Sequence, residues 1–231
     1  MSEVYAIDIN EVVEEKIYSE LFQVLSEERK EKTNKYKFQI DAKRSICAEV
    51  LIKFIVSQKF NKSDSNINIL FKYNSYGKPY FDGIEGYYFN ISHAGKWVVC
   101  AWSEKEIGVD VEKIKDIDMG VAKHYFSQSE YLELIGKETD ERKKLLIDYW
   151  TLKESYVKYK GKGLAISLDS ISFYFENGKV YYNSDFEREN IIFHTLDIDK
   201  EHKLSVCSMD PFLESVNYVS LEKIWKTLCV F

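Results

Sequence analysis

Residues Thr139–Lys160 read TDERKKLLIDYWTLKESYVKYK, and the fold turns on this stretch. At about 100° per residue, Leu145, Tyr149, Leu152, Tyr156 and Tyr159 share one apolar stripe, which predicts a single long helix. Glu154 and Lys158 lie on the opposite face, one turn apart. Ile147 and Trp150 share that face with them. A helix with apolar residues on both sides is covered on both sides. Glu154 and Lys158 are therefore expected in a cleft rather than in open solvent. Gly161 and Gly163 follow as a C-cap.

Working outward, short helices are expected near Met119–Tyr125 and Ser129–Ile135, after a strand near Ile107–Glu112. Strands near Ile171–Phe175, Ile191–Leu196 and Lys203–Cys207 come after the long helix. The first part of the chain has the same order. A strand at Val4–Ile9 leads to a charged helix opened by Ser26, with Glu27 and Glu28 in its first turn. A long helix over about Asp41–Lys59 then precedes strands near Ile67–Phe71, Tyr88–Ser92 and Trp97–Ala101. A short helix closes the chain after Ser220. Strand, long helix and three strands thus occur twice, with a period of about 100 residues that is too long for a solenoid. The reading is an α+β fold of two similar halves, 1–106 and 107–231, each a long helix packed on a small sheet. A pseudo-two-fold would relate them, the active site would lie at their interface, and the C-terminal tail would pack back on the first half. With 2 prolines and no Ser/Gly-rich linker, no flexible boundary is marked.

Composition narrows the class. The 231 residues are 45% hydrophobic and 15% aromatic, enough for a packed core and too much for intrinsic disorder. The net charge of −6 argues against general duplex-DNA binding, so no nucleic-acid partner is expected. Cys47, Cys100, Cys207 and Cys229 form no CxxC pair and match no zinc spacing, so reduced thiols in a cytoplasmic protein are expected. The acidic N-terminus lacks the apolar run of a signal peptide. The longest clean apolar run, Trp97–Trp102, is far short of a membrane span, so no membrane partner is expected.

Two further segments and four scattered cations could carry chemistry. In Gly108-Val-Asp-Val-Glu112, strand alternation puts Asp110 and Glu112 on one face and Val109 and Val111 on the other. Paired carboxylates of this kind suit a hard cation such as Mg²⁺ with phosphate oxygens, although a solvated strand face also explains them. In Asn90-Ile-Ser-His-Ala-Gly-Lys-Trp97, Ser92 and His93 end a strand before a turn. They read either as hairpin polar residues or as a phosphate cradle. Arg29, Lys32, Arg44 and Lys78 are each ordinary surface cations, but in an acidic chain they could together hold a polyanion.

Tyr76-Gly-Lys-Pro79, Phe89-Asn-Ile-Ser-His93, Gly108-Val-Asp-Val-Glu112, Trp150-Thr-Leu-Lys-Glu-Ser155 and Lys158-Tyr-Lys-Gly-Lys-Gly-Leu164, with Asp41-Ala-Lys-Arg44 upstream, occur in one order. In these motifs the chain resembles the Sfp-type 4′-phosphopantetheinyl transferases, from about Val4 to Leu221, and its length fits the two-half, monomeric branch. The resemblance implies transfer of the 4′-phosphopantetheine arm of coenzyme A to a serine of an apo acyl or peptidyl carrier protein, releasing adenosine 3′,5′-bisphosphate. It implies Mg²⁺ as cofactor, with Asp110, Glu112 and Glu154 as its ligands and Glu154 also as general base. Lys158, Ser92 and His93 would hold the phosphates, Lys78 the nucleotide side, and Arg29, Lys32 and Arg44 the 3′-phosphate end. The resemblance makes Glu154, Lys158 and His93 the expected catalytic group. The family also implies that Ile114–Gln128, with Met119 and Tyr125, docks the carrier beside Lys113, Lys115 and Lys123. Rival readings are a Mg²⁺-dependent hydrolase of a nucleotide pyrophosphate and a non-catalytic protein that binds coenzyme A or carriers.

Overall fold

The computed structural model describes residues 1–60, 69–116, 118–184 and 189–230. Its elements run β1 (Ser2–Asp8), α1 (Glu15–Gln23), α2 (Glu27–Asn34), α3 (Gln39–Phe60), β2 (Leu70–Tyr73), β3 (Pro79–Asp82), β4 (Tyr88–Ala94) and β5 (Trp97–Ser103). They continue β6 (Ile107–Lys113), α4 (Met119–Tyr125), α5 (Gln128–Ile135), α6 (Thr139–Lys160), β7 (Ser172–Glu176), β8 (Lys179–Asn183), β9 (Ile192–Asp199), β10 (His202–Ser208), β11 (Phe212–Tyr218) and α7 (Leu221–Cys229).

Strand alternation explains the layering. In β5 every residue is buried, because both faces are covered. Val98, Cys100 and Trp102 pack with α3, while Val99 and Ala101 pack against Val109, Val111 and Val206 of the second sheet. The same alternation in β10 sends Cys207 to α6 and Val206 to the first sheet. The result is four layers: α3, a sheet, a second sheet, and α6. The halves match strand for strand. The first contains β1-β5-β4 and the second β6-β10-β9, all antiparallel, and each has a hairpin between its helices and its last two strands.

Three features depart from the sequence reading: the hairpins, helix α1 and strand β11. Each half carries a two-stranded hairpin, β2–β3 or β7–β8, where one strand was expected. Residues 67 and 68 of the expected Ile67–Phe71 strand lie outside the described residues. Helix α1 was not expected, since its N-cap, Glu14, makes no side-chain cap that would mark its start. After β10 the chain crosses back: β11 pairs in parallel with β1 at the far edge of the first sheet, and α7 buries Leu221, Ile224 and Leu228 in the α3 core.

Gly108 sets the distance between α6 and β6. A Cβ there would stand 2.0 Å from the Ser155 carbonyl oxygen and 2.4 Å from the Tyr159 nitrogen, so only glycine lets the helix backbone lie directly on the strand. That contact brings Glu154 and Lys158 down to the strand carrying Asp110 and Glu112.

Candidate active site

Strands β4 and β6 meet at the seam between the two sheets without forming a ladder. The buried side chain of Asn90 bridges them instead, its Oδ1 accepting from the Val109 N–H at 2.9 Å. Two residues further along β4 and one along β6, Ser92 Oγ donates to Asp110 Oδ1 at 2.8 Å. Lys158 Nζ, reaching from α6, donates to the same Oδ1 at 2.6 Å and to Ser92 Oγ at 2.9 Å. Asp110 and Glu112 face α6 while Val109 and Val111 enter the core between the sheets, as alternation predicts.

The charges here do not balance. Asp110 is 4% exposed, and its Oδ2 is buried with no hydrogen-bond partner among the described residues. Burial, with Asp110 nearby, pushes the Glu112 and Glu154 carboxyls above the ordinary carboxylate range. Three carboxylates thus gather around Lys158 in a half-buried wall, with exposed Lys115 also near Glu112. A hard divalent cation fits this donor set: all ligands are oxygens, and one buried oxygen is orphaned. Among the described residues, no three acidic, histidine or cysteine side chains close into a ready metal cage. An ion here would draw further oxygens from a phosphate ligand, as Mg²⁺ commonly does.

The same residues line a cleft of about 620 Å³ that also takes in Arg29, Lys32, Arg44, Ser92 and His93. Arg29 is aimed by buried Glu49, whose carboxylate accepts from Arg29 Nε at 3.3 Å and from Ser26 N and Oγ at the start of α2. Arg44 Nη1 donates to Asp41 at 3.1 Å and Nη2 to the Gly95 carbonyl at 2.5 Å, leaving Nε buried and unpartnered among the described residues. Lys32 is exposed at the rim. His93 presents one edge to solvent, yet shielding by the surrounding wall, then the charges of Arg44 and Lys158, hold its ring below the ordinary imidazole range. Its neighbour Ser92 points inward.

Lys78 lies beside this cleft, at the C-terminus of α6. Its Nζ donates to Glu106 Oε2 at 2.7 Å, the Tyr159 carbonyl at 3.0 Å and the Ile107 carbonyl at 3.3 Å. It clasps the β2–β3 turn to the C-terminus of α6, where a cation meets unpaired carbonyls. Asn74 Nδ2 does likewise, donating to the Gly161 carbonyl at 2.7 Å. Lys78 lines an adjoining cavity of about 400 Å³, with Val157, Ile166 and Leu168, that shares Glu154 and Lys158 with the cleft.

Sequence reasoning missed the pair Lys153–Glu130. Both side chains are fully buried, 2.9 Å apart, on the side of α6 away from the cleft. Lys153 Nζ also donates to the Leu168 and Ile171 carbonyls at 2.7 and 2.6 Å. Glu130 accepts from the backbone of Ser127 and Phe173, so the pair ties α5, β7 and α6 together. Glu130 had a readable signal, since Ser127-Gln-Ser-Glu130 is a capping box. In the expected carrier-docking segment, Phe126 is core, Met119 is half-buried, and Tyr125 stays 40% exposed.

Two family descriptions match the chain in tandem. "4'-phosphopantetheinyl transferase, N-terminal" covers residues 13–105 and "4'-phosphopantetheinyl transferase superfamily" covers residues 106–207. The chain is 32% identical over 223 residues to 4′-phosphopantetheinyl transferase Sfp of Bacillus subtilis (strain 168), covering 96% of this chain and 99% of that protein. It is 33% identical over 225 residues to the Bacillus subtilis 4′-phosphopantetheinyl transferase ffp, again 96% and 99% covered. The mouse L-aminoadipate-semialdehyde dehydrogenase-phosphopantetheinyl transferase is 29% identical over 209 residues, covering 80% of this chain and 67% of that protein. Among solved structures, a Thermotoga maritima holo-[acyl-carrier-protein] synthase overlaps 45% of this chain and 61% of its own, with a TM-score of 0.39 at 20% identity. With full-length relatives above 30% identity, and with the acid cluster and basic stretch gathered in one cleft, the chain belongs to the 4′-phosphopantetheinyl transferase superfamily.

Proposed function

We propose that this chain transfers the 4′-phosphopantetheine arm of coenzyme A to a serine of an apo acyl or peptidyl carrier protein, releasing adenosine 3′,5′-bisphosphate. The observation that carries the reading is the Ser92–Asp110–Lys158 cluster with its orphaned Asp110 oxygen, in the same cleft as Arg29, Lys32 and Arg44. Acid and base are thereby spaced along one groove, as a ligand with a pyrophosphate and a separate phosphate requires.

In the step itself, the serine oxygen bonds to the phosphorus that carries pantetheine, and the bond to the nucleotide-side phosphate oxygen breaks. The serine proton goes to Glu154, the carboxylate that α6 places in the cleft. Lys158 neutralises phosphate oxygens, Ser92 turns its hydroxyl from Asp110 to donate to them, and His93 orients the same group. Arg29, Lys32 and Arg44 take the 3′-phosphate. Asp110, Glu112 and Glu154 would hold Mg²⁺, which when bound neutralises charge on the pyrophosphate.

The carrier would dock on the outer face of α4, beside Lys113, Lys115 and Lys123, which would set association rate and salt dependence against an acidic partner. Tyr125, exposed and edge-on to Trp150 in the cleft wall, is the cleaner probe than half-buried Met119. Tyr125→Asp should raise KM for the carrier and leave coenzyme A binding unchanged. Carrier kinetics equal to wild type would move the docking face elsewhere. Both halves of the groove come from one chain, so the enzyme is read as a monomer. Cys47 and Cys100 are buried free thiols, which supports a cytoplasmic location. No helix among the described residues is long and apolar enough to cross a membrane.

Mass spectrometry of an apo carrier domain incubated with coenzyme A and Mg²⁺ tests the function. Gain of the pantetheine arm on the carrier serine is expected. Cleavage of coenzyme A without carrier modification would instead support a pyrophosphate hydrolase, and binding without cleavage a non-catalytic binder.

A further inference from the structure

His202 is 2% exposed at the start of β10, and its Nδ1–H donates to Asp199 Oδ1 at 2.9 Å. Its Nε2 has no hydrogen-bond partner among the described residues. That ring edge points at Gly95, in the β4–β5 turn of the other half. A Cβ on Gly95 would lie 2.2 Å from Nε2, so the imidazole occupies the space any other residue would need. The same Asp199 accepts from Trp97 Nε1 at 2.8 Å and pairs with Lys96 Nζ at 3.4 Å. Asp199 and His202 therefore clamp all three residues Gly95, Lys96 and Trp97, from a hairpin that contributes nothing to the cleft walls.

The clamped turn matters because of what it holds. The Gly95 carbonyl anchors Arg44 Nη2, and His93 precedes the turn by two residues. Arg44 has few other constraints, since its second partner, Asp41, lies on its own helix and is partly exposed. We infer that Asp199 and His202 are positioning residues for the nucleotide end of the cleft. They fix the Gly95 turn from the opposite half, so that its carbonyl presents Arg44 to the 3′-phosphate of coenzyme A. This rests on the proposed role of Arg44. It goes beyond that role in making the β9–β10 hairpin a determinant of discrimination between coenzyme A and dephospho-coenzyme A.

The test compares KM for coenzyme A and for dephospho-coenzyme A in wild type, Arg44→Ala, His202→Ala, Gly95→Ala and the double variant His202→Ala/Gly95→Ala. With His202→Ala, KM for coenzyme A should rise roughly five- to tenfold, short of losing a whole charge-assisted hydrogen bond. KM for dephospho-coenzyme A, KM for the carrier and kcat should hold. Gly95→Ala should impair coenzyme A binding strongly alone and less in the His202→Ala background, where the added methyl has room, a non-additivity expected of contacting residues. His202→Asn keeps a donor toward Asp199 while withdrawing the ring, and it carries the same comparison if His202→Ala fails to fold. Sensitivity of Arg44→Ala with an unmoved KM ratio in the folded His202 variant, whatever its melting temperature, would overturn the inference alone. An unmoved ratio in Arg44→Ala as well would overturn the 3′-phosphate placement and the inference with it.

Discussion

Replacing Gly108 with alanine tests how the two functional elements are held together. The added Cβ would stand 2.0 Å from the Ser155 carbonyl oxygen, where ordinary contact begins at 3.4 Å, a shortfall of 1.4 Å. The obstructing atoms, Ser155 O and Tyr159 N, belong to helix backbone, so no change of rotamer relieves them. Helix α6 must lift off β6 locally by about the shortfall. Glu154 and Lys158 adjoin those two residues and move with them. The 2.6 Å bond between Lys158 and Asp110 is then lost as a hydrogen bond. Overpacking of this kind costs about 1–3 kcal/mol. In a chain of this size that lowers the melting temperature by roughly 2–12 °C. A misplacement of about 1 Å costs on the order of 100-fold in rate. The expected result is a folded protein with kcat down about two orders of magnitude, far more than its stability loss explains. Val109→Ala is the control, since it removes core volume between the sheets without pushing on α6. Steady-state kinetics well below both melting temperatures decide the matter. A Gly108→Ala enzyme within about threefold of wild type, or a Val109→Ala enzyme equally impaired, would refute the reasoning.

Three further outcomes follow from the same geometry. Asp110→Ala should keep the fold and lose at least 10–100-fold in activity, on the order seen when even an outer partner of a metal ligand is removed; near wild-type turnover at limiting Mg²⁺ would exclude it as a ligand. Lys153→Met leaves Glu130 buried without its cation and should cost about 3–5 kcal/mol in denaturant unfolding, with much of this recovered in Lys153→Met/Glu130→Gln; equal stability of the single and double variants would show that the pair is not coupled. Glu154 has a raised folded-state pKa, so the native state holds its proton more tightly than the unfolded chain does. Its contribution therefore turns unfavourable as pH rises from the ordinary value of 4.5 through the raised one. Without metal, Glu154→Gln should gain stability on wild type as pH rises through that window, and added Mg²⁺ should close the gap; a difference flat with pH would contradict the burial argument.

The helical period of Thr139–Lys160 and the alternation of Gly108–Glu112 are enough by themselves to orient the acids. Period and alternation are properties of a single element, and they survive whatever the rest of the chain does. The Asn177-Gly178 turn of β7–β8 was legible too: both residues have positive φ, 50° and 73°, as a tight two-residue hairpin requires, yet the strand after it was not read. Lys78 shows where local reading ends. A lysine in a turn looks the same whether it meets solvent, a phosphate or a carbonyl, and only the docking of α6 beside that turn put Tyr159 within reach. Lys153 and Glu130 are likewise ordinary helix-surface residue types, and their burial depends on which face of α6 the α5–β7 layer covers. The sequence by itself determined the two long helices, the faces of β6 and the duplicated order. The tertiary structure alone decided which cations share a cleft and which clasp the fold, because those pairings join residues from separate elements whose packing no single segment specifies.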